Sequence, residues 1–391
     1  MFNIIIFRVA DKYAGRMSKL HTLYAMPHSL YSGRARSYLI KRGIPFRELS
    51  TGHESFKAEV LPRGQLPTIP TLLTAGGEVI RDGAAIIEYF EASHAYPSYP
   101  AGTGQRLLSS LFDVIGTDGL LRPAMHYRWN FPEANLAFLH FHFLNSQRIS
   151  AAREEKTGAM MDRMRHAASL FGVNEGTREV VEALYLEFLE ALNAHFACFP
   201  YLFGGRPSIG DFGLLAPMYA HLGRDPYPSS LMKQRALAVY RWVERMNRRD
   251  SDTPEFFTGT EEYLPDDEVP ETLLSVLRVV AEDFVPETLA AAATLNEWLA
   301  EHAPDAGAPA VGRLAGPLPS CEFQLRERTI KALAQPHRFY LLQRVQDFYR
   351  ALGREERGVA DELLARCGMA QVIGAKLSRR ITRKGNLEVW E

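Results

Sequence analysis

Hydroxyls, carboxylates at helix starts, imidazoles and thiols are the side chains here whose type and spacing could carry chemistry. Cys198, Cys321 and Cys367 are the only cysteines, odd in number and far apart. That pattern excludes a disulfide framework, a Cys-x-x-Cys redox pair and a cysteine-only zinc site, and it fits a reducing cytoplasm. His140 and His142 stand two residues apart on a helical stretch, so they point to different faces, and no Cys or carboxylate spacing completes a ligand set; no metal site is expected. Ser208-x-x-Asp211 has the form of a capping box and reads as structural. Asp82 stands just before a helix candidate, where a carboxylate caps orphan N–H groups. Ser29, with Tyr24 and Tyr31, lies around a strand-to-helix turn; taken alone, a serine there caps a helix and the tyrosines pack in a core or rim.

The elements that must position these groups follow from periodicity. Leu20 to Tyr24 reads as a strand and Ser32 to Arg42 as a helix ending at Gly43, followed by a strand at Pro45 to Leu49. Pro70 to Thr74 and Glu78 to Arg81 flank Ala75-Gly76-Gly77 as a hairpin, and Ala84 to Ala92 is a helix with Ile86, Ile87 and Phe90 on one face. This β-α-β, β-β-α order describes a small α/β domain with a mixed sheet. Ala95 to Gly104 is linker-like. Helix candidates follow at Arg106 to Ile115, Phe131 to Ser146, Ala159 to Gly172, Arg178 to Phe199, Ile209 to Leu222 and Leu231 to Asn247, enough for a bundle. After a break at Asp250 to Glu268 come helical Thr272 to Phe284 and Glu287 to His302, and an Ala/Gly/Pro-rich linker at Ala303 to Pro319. Further helices are expected at Thr329 to Leu333, Phe339 to Leu352 and Val359 to Cys367, and then a basic tail. The expected division is an amino-terminal extension (1–19), an α/β domain (20–94), an α-helical bundle (104–250) and a mostly helical carboxy-terminal extension (268–391). Met1 to Leu20 runs apolar then basic, the reverse of a secretory signal.

The 391 residues, 46% hydrophobic, suffice for two or three domains with full cores. Forty-five Lys and Arg against 46 Asp and Glu leave a net charge of -1, so no positive field exists to hold nucleic acid. No apolar run approaches the roughly 18 residues that a membrane span needs.

Several segments together resemble a known family. Leu23-Tyr24-Ala25-Met26-Pro27-His28-Ser29 with Arg34-Ala35-Arg36, Gly43-Ile44-Pro45-Phe46, Ile69-Pro70-Thr71-Leu72 and Asp82-Gly83-Ala84-Ala85-Ile86-Ile87-Glu88-Tyr89-Phe90-Glu91 resemble the thioredoxin-like amino-terminal domain of the glutathione transferase superfamily. Tyr201-Leu202-Phe203-Gly204-Gly205-Arg206-Pro207-Ser208-Ile209-Gly210-Asp211 resembles that family's entry into a long helix of its carboxy-terminal domain. The resemblance covers roughly residues 20 to 250 and implies an α/β plus all-α fold: a thioredoxin-like domain, then a helical glutathione-transferase-type bundle, with the last segment as an addition.

What the resemblance implies for function is specific. Glutathione would be the co-substrate, and its thiol, which titrates at about 8.5 when unperturbed, would have to ionise. The "R-x-R" alignment puts Ser29 where serine- and cysteine-type members stabilise the thiolate; Tyr24 and Tyr31 are the alternative donors. Ile69-Pro70 matches the cis-proline whose preceding residue pairs with the glutathione backbone, Leu66-Pro67 being the competing candidate. Asp82, Gly83 and the amide of Ala84 stand where the family holds the γ-glutamyl end. Gly83 departs from the usual serine, at a cost on the order of 1.5 to 3 kcal/mol for one hydrogen bond to a charged group. The acceptor wall would come from the ring-rich stretch that includes His126, Tyr127, Trp129, Phe138 and Phe143, unless those rings are core.

Two functions follow from that resemblance. One is a cytoplasmic, homodimeric enzyme conjugating the glutathione thiolate to an electrophilic small molecule. The alternative is a non-catalytic binding or scaffold protein with a decayed glutathione site and contacts carried by the added region. The amphipathic helices of that region are expected to pack on the bundle or a second subunit, and the basic tail to be a solvated end.

Overall fold

The computed structural model describes residues 20–93 and 97–391; the expected extension 1–19 and part of the first linker lie outside them. The chain begins with β1 (His21–Tyr24), α1 (Leu30–Lys41) and β2 (Phe46–Leu49). A π-helical turn at Phe56–Val60 leads into the single turn α2 (Leu61–Gly64), and β3 (Thr71–Leu73), β4 (Val79–Arg81) and α3 (Gly83–Glu91) complete the domain. The sheet order is β2-β1-β3-β4, with β1 parallel to β2 and antiparallel to β3, and β4 antiparallel to β3. This is the thioredoxin-like arrangement expected from the sequence. Thr22, Leu23 and Tyr24 are all buried because β1 is an inner strand covered on both faces.

The bundle opens with α4 (Thr103–Val114), whose last turn widens into a π-helical turn at Ile115–Gly119 and continues as α5 (Leu121–Trp129). It goes on through α6 (Pro132–Ser146), α7 (Arg153–Ser169), α8 (Arg178–Cys198), α9 (Ile209–Ala220), α10 (Pro226–Arg235) and α11 (Leu237–Met246). The helix that periodicity places over Leu231 to Asn247 is in fact two, broken at Ala236 (φ -144°, ψ 65°). At α9 the Ser208–Asp211 capping box is present, and Asp211 also accepts from the Leu202 N–H and Trp242 Nε1, both at 3.1 Å. The π-turn touches α9 backbone to backbone. A Cβ on Gly116 would sit 2.3 Å from the Gly213 carbonyl carbon, so only glycine allows that approach.

The remaining chain is wrapped onto both earlier regions. The two helices expected at Thr272 to Phe284 and Glu287 to His302 are one, α12 (Glu271–His302), which runs through Pro286. A hairpin follows, β5 (Ser320–Leu325) with β6 (Arg328–Leu333), then α13 (Pro336–Ala351), α14 (Arg354–Arg366) and a second hairpin, β7 (Ile381–Lys384) with β8 (Leu387–Trp390). The helix expected at Thr329 to Leu333 is therefore a strand. Its partner alternates with period two, Cys321, Phe323 and Leu325 buried and Ser320, Glu322 and Gln324 exposed, which selects strand over helix. The basic tail is likewise not a solvated end. Asn386 at the tip of the last hairpin accepts from the Arg81 N–H at 2.9 Å and donates to the Val79 and Arg63 carbonyls at 3.0 Å, while buried Glu388 pairs with Arg81. The outer strand β4 is thus covered by the far end of the chain. One apolar core continues through all these regions, from Leu23 to Trp390.

A buried ionic network fixes the start of α13. Arg122 of α5 gives Nη1 to both oxygens of Asp283 at 2.8 and 2.7 Å and Nη2 to Glu287 Oε1 at 2.9 Å. Glu287 Oε2 then accepts from Arg338 at 2.7 Å.

Candidate ligand site

Between the β1–α1 turn and the bundle lies a cavity of about 390 Å³. Ser29, Tyr31, Thr68 and Ile69 line it from the sheet domain; Trp129, Phe143, Met125, Met160 and Met164 form the opposite, apolar wall from α5, α6 and α7. Ser29 is the N-cap of α1 (φ -87°, ψ 118°), its Oγ accepting from the Ser32 N–H at 3.4 Å and the Ser32 hydroxyl at 2.9 Å. Both accepted bonds leave the Ser29 O–H as a donor, so the capping and donor readings of this residue are compatible. The turn is held from behind. Arg128 of α5 gives Nη1 to the His28 carbonyl at 2.8 Å and is itself fixed by Asp225 at 2.6 and 2.9 Å. Burial first, then the neighbouring Arg128 guanidinium, pushes His28 and His221 well below the usual imidazole range, so both stay neutral beside the cavity.

Tyr31 lines the cavity, and desolvation together with Asp118 and Asp82 pushes its phenol above the usual range, making it a proton donor rather than a base. Tyr24 is placed elsewhere. Its hydroxyl lies 2.7 Å from Ser55 Oγ and its ring packs on Phe56 in a separate small core, away from the residues that line the cavity. The structure therefore brings Ser29, Tyr31 and Ile69 together and leaves Tyr24 out. The Ile69–Pro70 peptide is cis, as its sequence suggests, and the Pro70 carbonyl accepts from the Asp82 N–H at 3.1 Å.

Asp82 sits at φ +83° as the N-cap of α3, Oδ1 accepting from the Ala84 and Ala85 N–H groups at 2.9 and 3.3 Å. Its other oxygen faces His337, the second residue of α13, with Nε2 3.6 Å from Asp82 Oδ2; on the other side His337 Nδ1 is 2.9 Å from Asp118 Oδ2. Burial alone would discharge this imidazole, and so would its place at the positive end of a helix. The two carboxylates outweigh burial and raise its pKa to about 10. Burial works against Asp82 as well, yet His337, Arg34 and Arg383 hold its carboxyl well below the usual range. A charged Asp82–His337–Asp118 bridge thus joins the sheet domain, the π-turn and α13. His337 and Asp118 are invisible to motif reading, because each gains its meaning only through a contact more than 200 residues away in sequence.

Residues 23–98 match the glutathione S-transferase N-terminal domain family, and residues 175–245 match the glutathione S-transferase C-terminal domain family. Two separate segments of the chain thus match the two domain families of glutathione transferases. Among solved glutathione transferases, one from Phanerochaete chrysosporium is 14% identical, covering 59% of this chain and 98% of its own, with a TM-score of 0.44. One from Methylobacterium radiotolerans, in complex with glutathione sulfonate, is 17% identical over 62% of this chain and 99% of its own, TM-score 0.35. One from Methylobacillus flagellatus with glutathione bound is 15% identical over 59% and 96%, TM-score 0.35. No curated protein sequence matches the chain.

For a glutathione transferase fold the implied ligand is glutathione, and its fit divides along the cleft. The thiol end has room beside Ser29 and Ile69. The γ-glutamyl end does not fit: the Asp82 carboxylate and the Ala84 amide are spent on each other, His337 stands against Asp82, and Gly83 offers no hydroxyl. Of the positions expected to receive a ligand, Asp82 and the Ala84 N–H are thus engaged inside the chain, Asp82 by His337 of the last region. Among the described residues no cluster of three His, Cys, Asp or Glu side chains could hold a metal, and no helix is long and apolar enough to cross a membrane.

Proposed function

We propose that this glutathione-transferase-fold protein binds a small apolar ligand in the cavity beside Ser29, and does not anchor glutathione by its γ-glutamyl end while the carboxy-terminal region is docked. The observation that carries this reading is His337 between Asp82 and Asp118. A protonated imidazole there does for Asp82 what a ligand ammonium would do. The methionine-rich wall supports the choice of an apolar ligand, since thioethers adapt to varied shapes. The expectation of a homodimer in the cytoplasm, and of domain limits at 20–94, 104–250 and 268–391, is retained within this proposal. Calorimetric titration with reduced glutathione is the test. Wild type is expected to give no saturable heat in the millimolar range while a naphthalene-type fluorescent probe still binds; saturable glutathione binding to the wild type would reject the reading.

A second reading rests on the free Ser29 O–H at the N-terminus of α1, which favours a thiolate. In it the thiol loses its proton to solvent, the sulfur attacks an electrophilic carbon, and the leaving group departs with its electron pair. Wild-type turnover of chloro-dinitrobenzene with glutathione, lost in Ser29→Ala, would favour this second reading.

A further inference from the structure

A second cavity, of about 240 Å³, opens where α3, α4 and α13 meet, away from Ser29. Most of its charges are matched within the wall. Glu88 Oε1 lies 2.9 Å from Arg344, which also reaches the Tyr340 hydroxyl at 2.9 Å, and Asp113 is paired with buried Arg34. Arg106 is the exception. Its guanidinium carbon sits 5.6 Å from the Tyr99 ring centre and 4.9 Å from that of Phe348, and it makes no ion pair among the described residues. These two rings hold a cation at the cavity wall with its N–H groups unspent. The Tyr99 hydroxyl likewise has no partner among the described residues. Burial, then Asp113, pushes that phenol up to about 12, so it remains a donor. The facing side, from Leu341, Val345 and Phe348 of α13, is apolar.

We propose that this cavity binds a small organic carboxylate, its anion on Arg106 and the Tyr99 hydroxyl and its apolar body on Leu341, Val345 and Phe348. One uncompensated cation suits a monoanion; a phosphate dianion would meet Glu88 and Asp113 with charge to spare. The apolar wall selects against inorganic anions, which have nothing to bury there.

The test is titration of the full chain with benzoate, with inorganic phosphate and benzyl alcohol as probes that keep only the charge or only the ring. Saturable benzoate binding is expected, with both other probes weaker. Arg106→Gln, at an exposed side chain, should keep the wild-type melting temperature and lose about tenfold or more in benzoate affinity, the usual effect of removing a charged hydrogen-bond donor. Tyr99→Phe should lose less. No saturable binding, or equal binding by wild type and Arg106→Gln, overturns the proposal. Binding that survives Arg106→Gln and disappears in Met164→Trp belongs to the Ser29 cavity and overturns it equally.

Discussion

Between Ser29 at the start of α1 and Asp82 at the start of α3, the surroundings change from apolar and open to charged and filled. At the Ser29 end the bundle contributes methionines and rings and leaves about 390 Å³ of space. At the Asp82 end α13 contributes an imidazole held by two carboxylates, and both Asp82 oxygens and the Ala84 N–H face internal partners. The difference does not come from Gly83. A Cβ at that position would meet its neighbours only at 3.5 Å or beyond, ordinary contact, so a serine would fit, and His337 would still hold Asp82. The lesson is that closure of this end is imposed by a distant segment, and the local departure from the family pattern is secondary.

The comparison breaks most severely if the anchor of α13 is removed. Arg122→Met leaves the buried Asp283 and Glu287 carboxylates without their shared cation, and a loss of about 3 to 5 kcal/mol in urea unfolding is expected. His337 itself gives a pH signature. Its folded pKa of about 10 lies above the unfolded value, so its stabilisation is complete below about pH 6.5 and drains away as pH rises through 10. Subtracting the melting profile of His337→Gln from that of wild type between pH 6 and 10 should show this decline; a flat difference would mean that the bridge is not charged. Gly83→Ser sharpens the contrast: alone it should leave glutathione binding undetected, whereas in a His337→Ala background it should tighten the affinity roughly tenfold through one added hydrogen bond, as read by calorimetry. The smallest effect belongs to Tyr24→Phe, which removes a bond to Ser55 at about 1 kcal/mol and should leave probe binding at Ser29 unchanged.

Much of the first 250 residues was legible because local signals agree with the fold. Ile86, Ile87 and Phe90 mark their buried face by period, and Ser208 with Asp211 caps α9 as its spacing requires. Ser29 and Ile69 were found through the family pattern, and both line the cavity. Tyr24 misled because strand-end position alone does not tell which face of a sheet a side chain takes. The last 120 residues were less readable. Thr329 to Leu333 is too short for its period to separate strand from helix, and only pairing with Ser320 to Leu325 decides it. Arg383 and Arg379 look like part of a solvated tail until their partners, the Arg81 and Pro304 carbonyls, are seen. Side chains such as His337 draw their role from a charge field assembled by tertiary contacts, and no window of sequence contains it.

The docking of Asn386 on β4 also sets an order of events during synthesis. The sheet domain leaves the ribosome first, and the partner of Arg81 follows 305 residues later, which at about 5 to 20 residues per second is a delay of roughly 15 to 60 s. Throughout that interval the outer strand presents unpaired N–H and C=O groups, a template for wrong pairing. The nascent chain is therefore most vulnerable to aggregation after its sheet domain has folded, and synthesis of α13 and the last hairpin is what fills the Asp82 end and seals that edge.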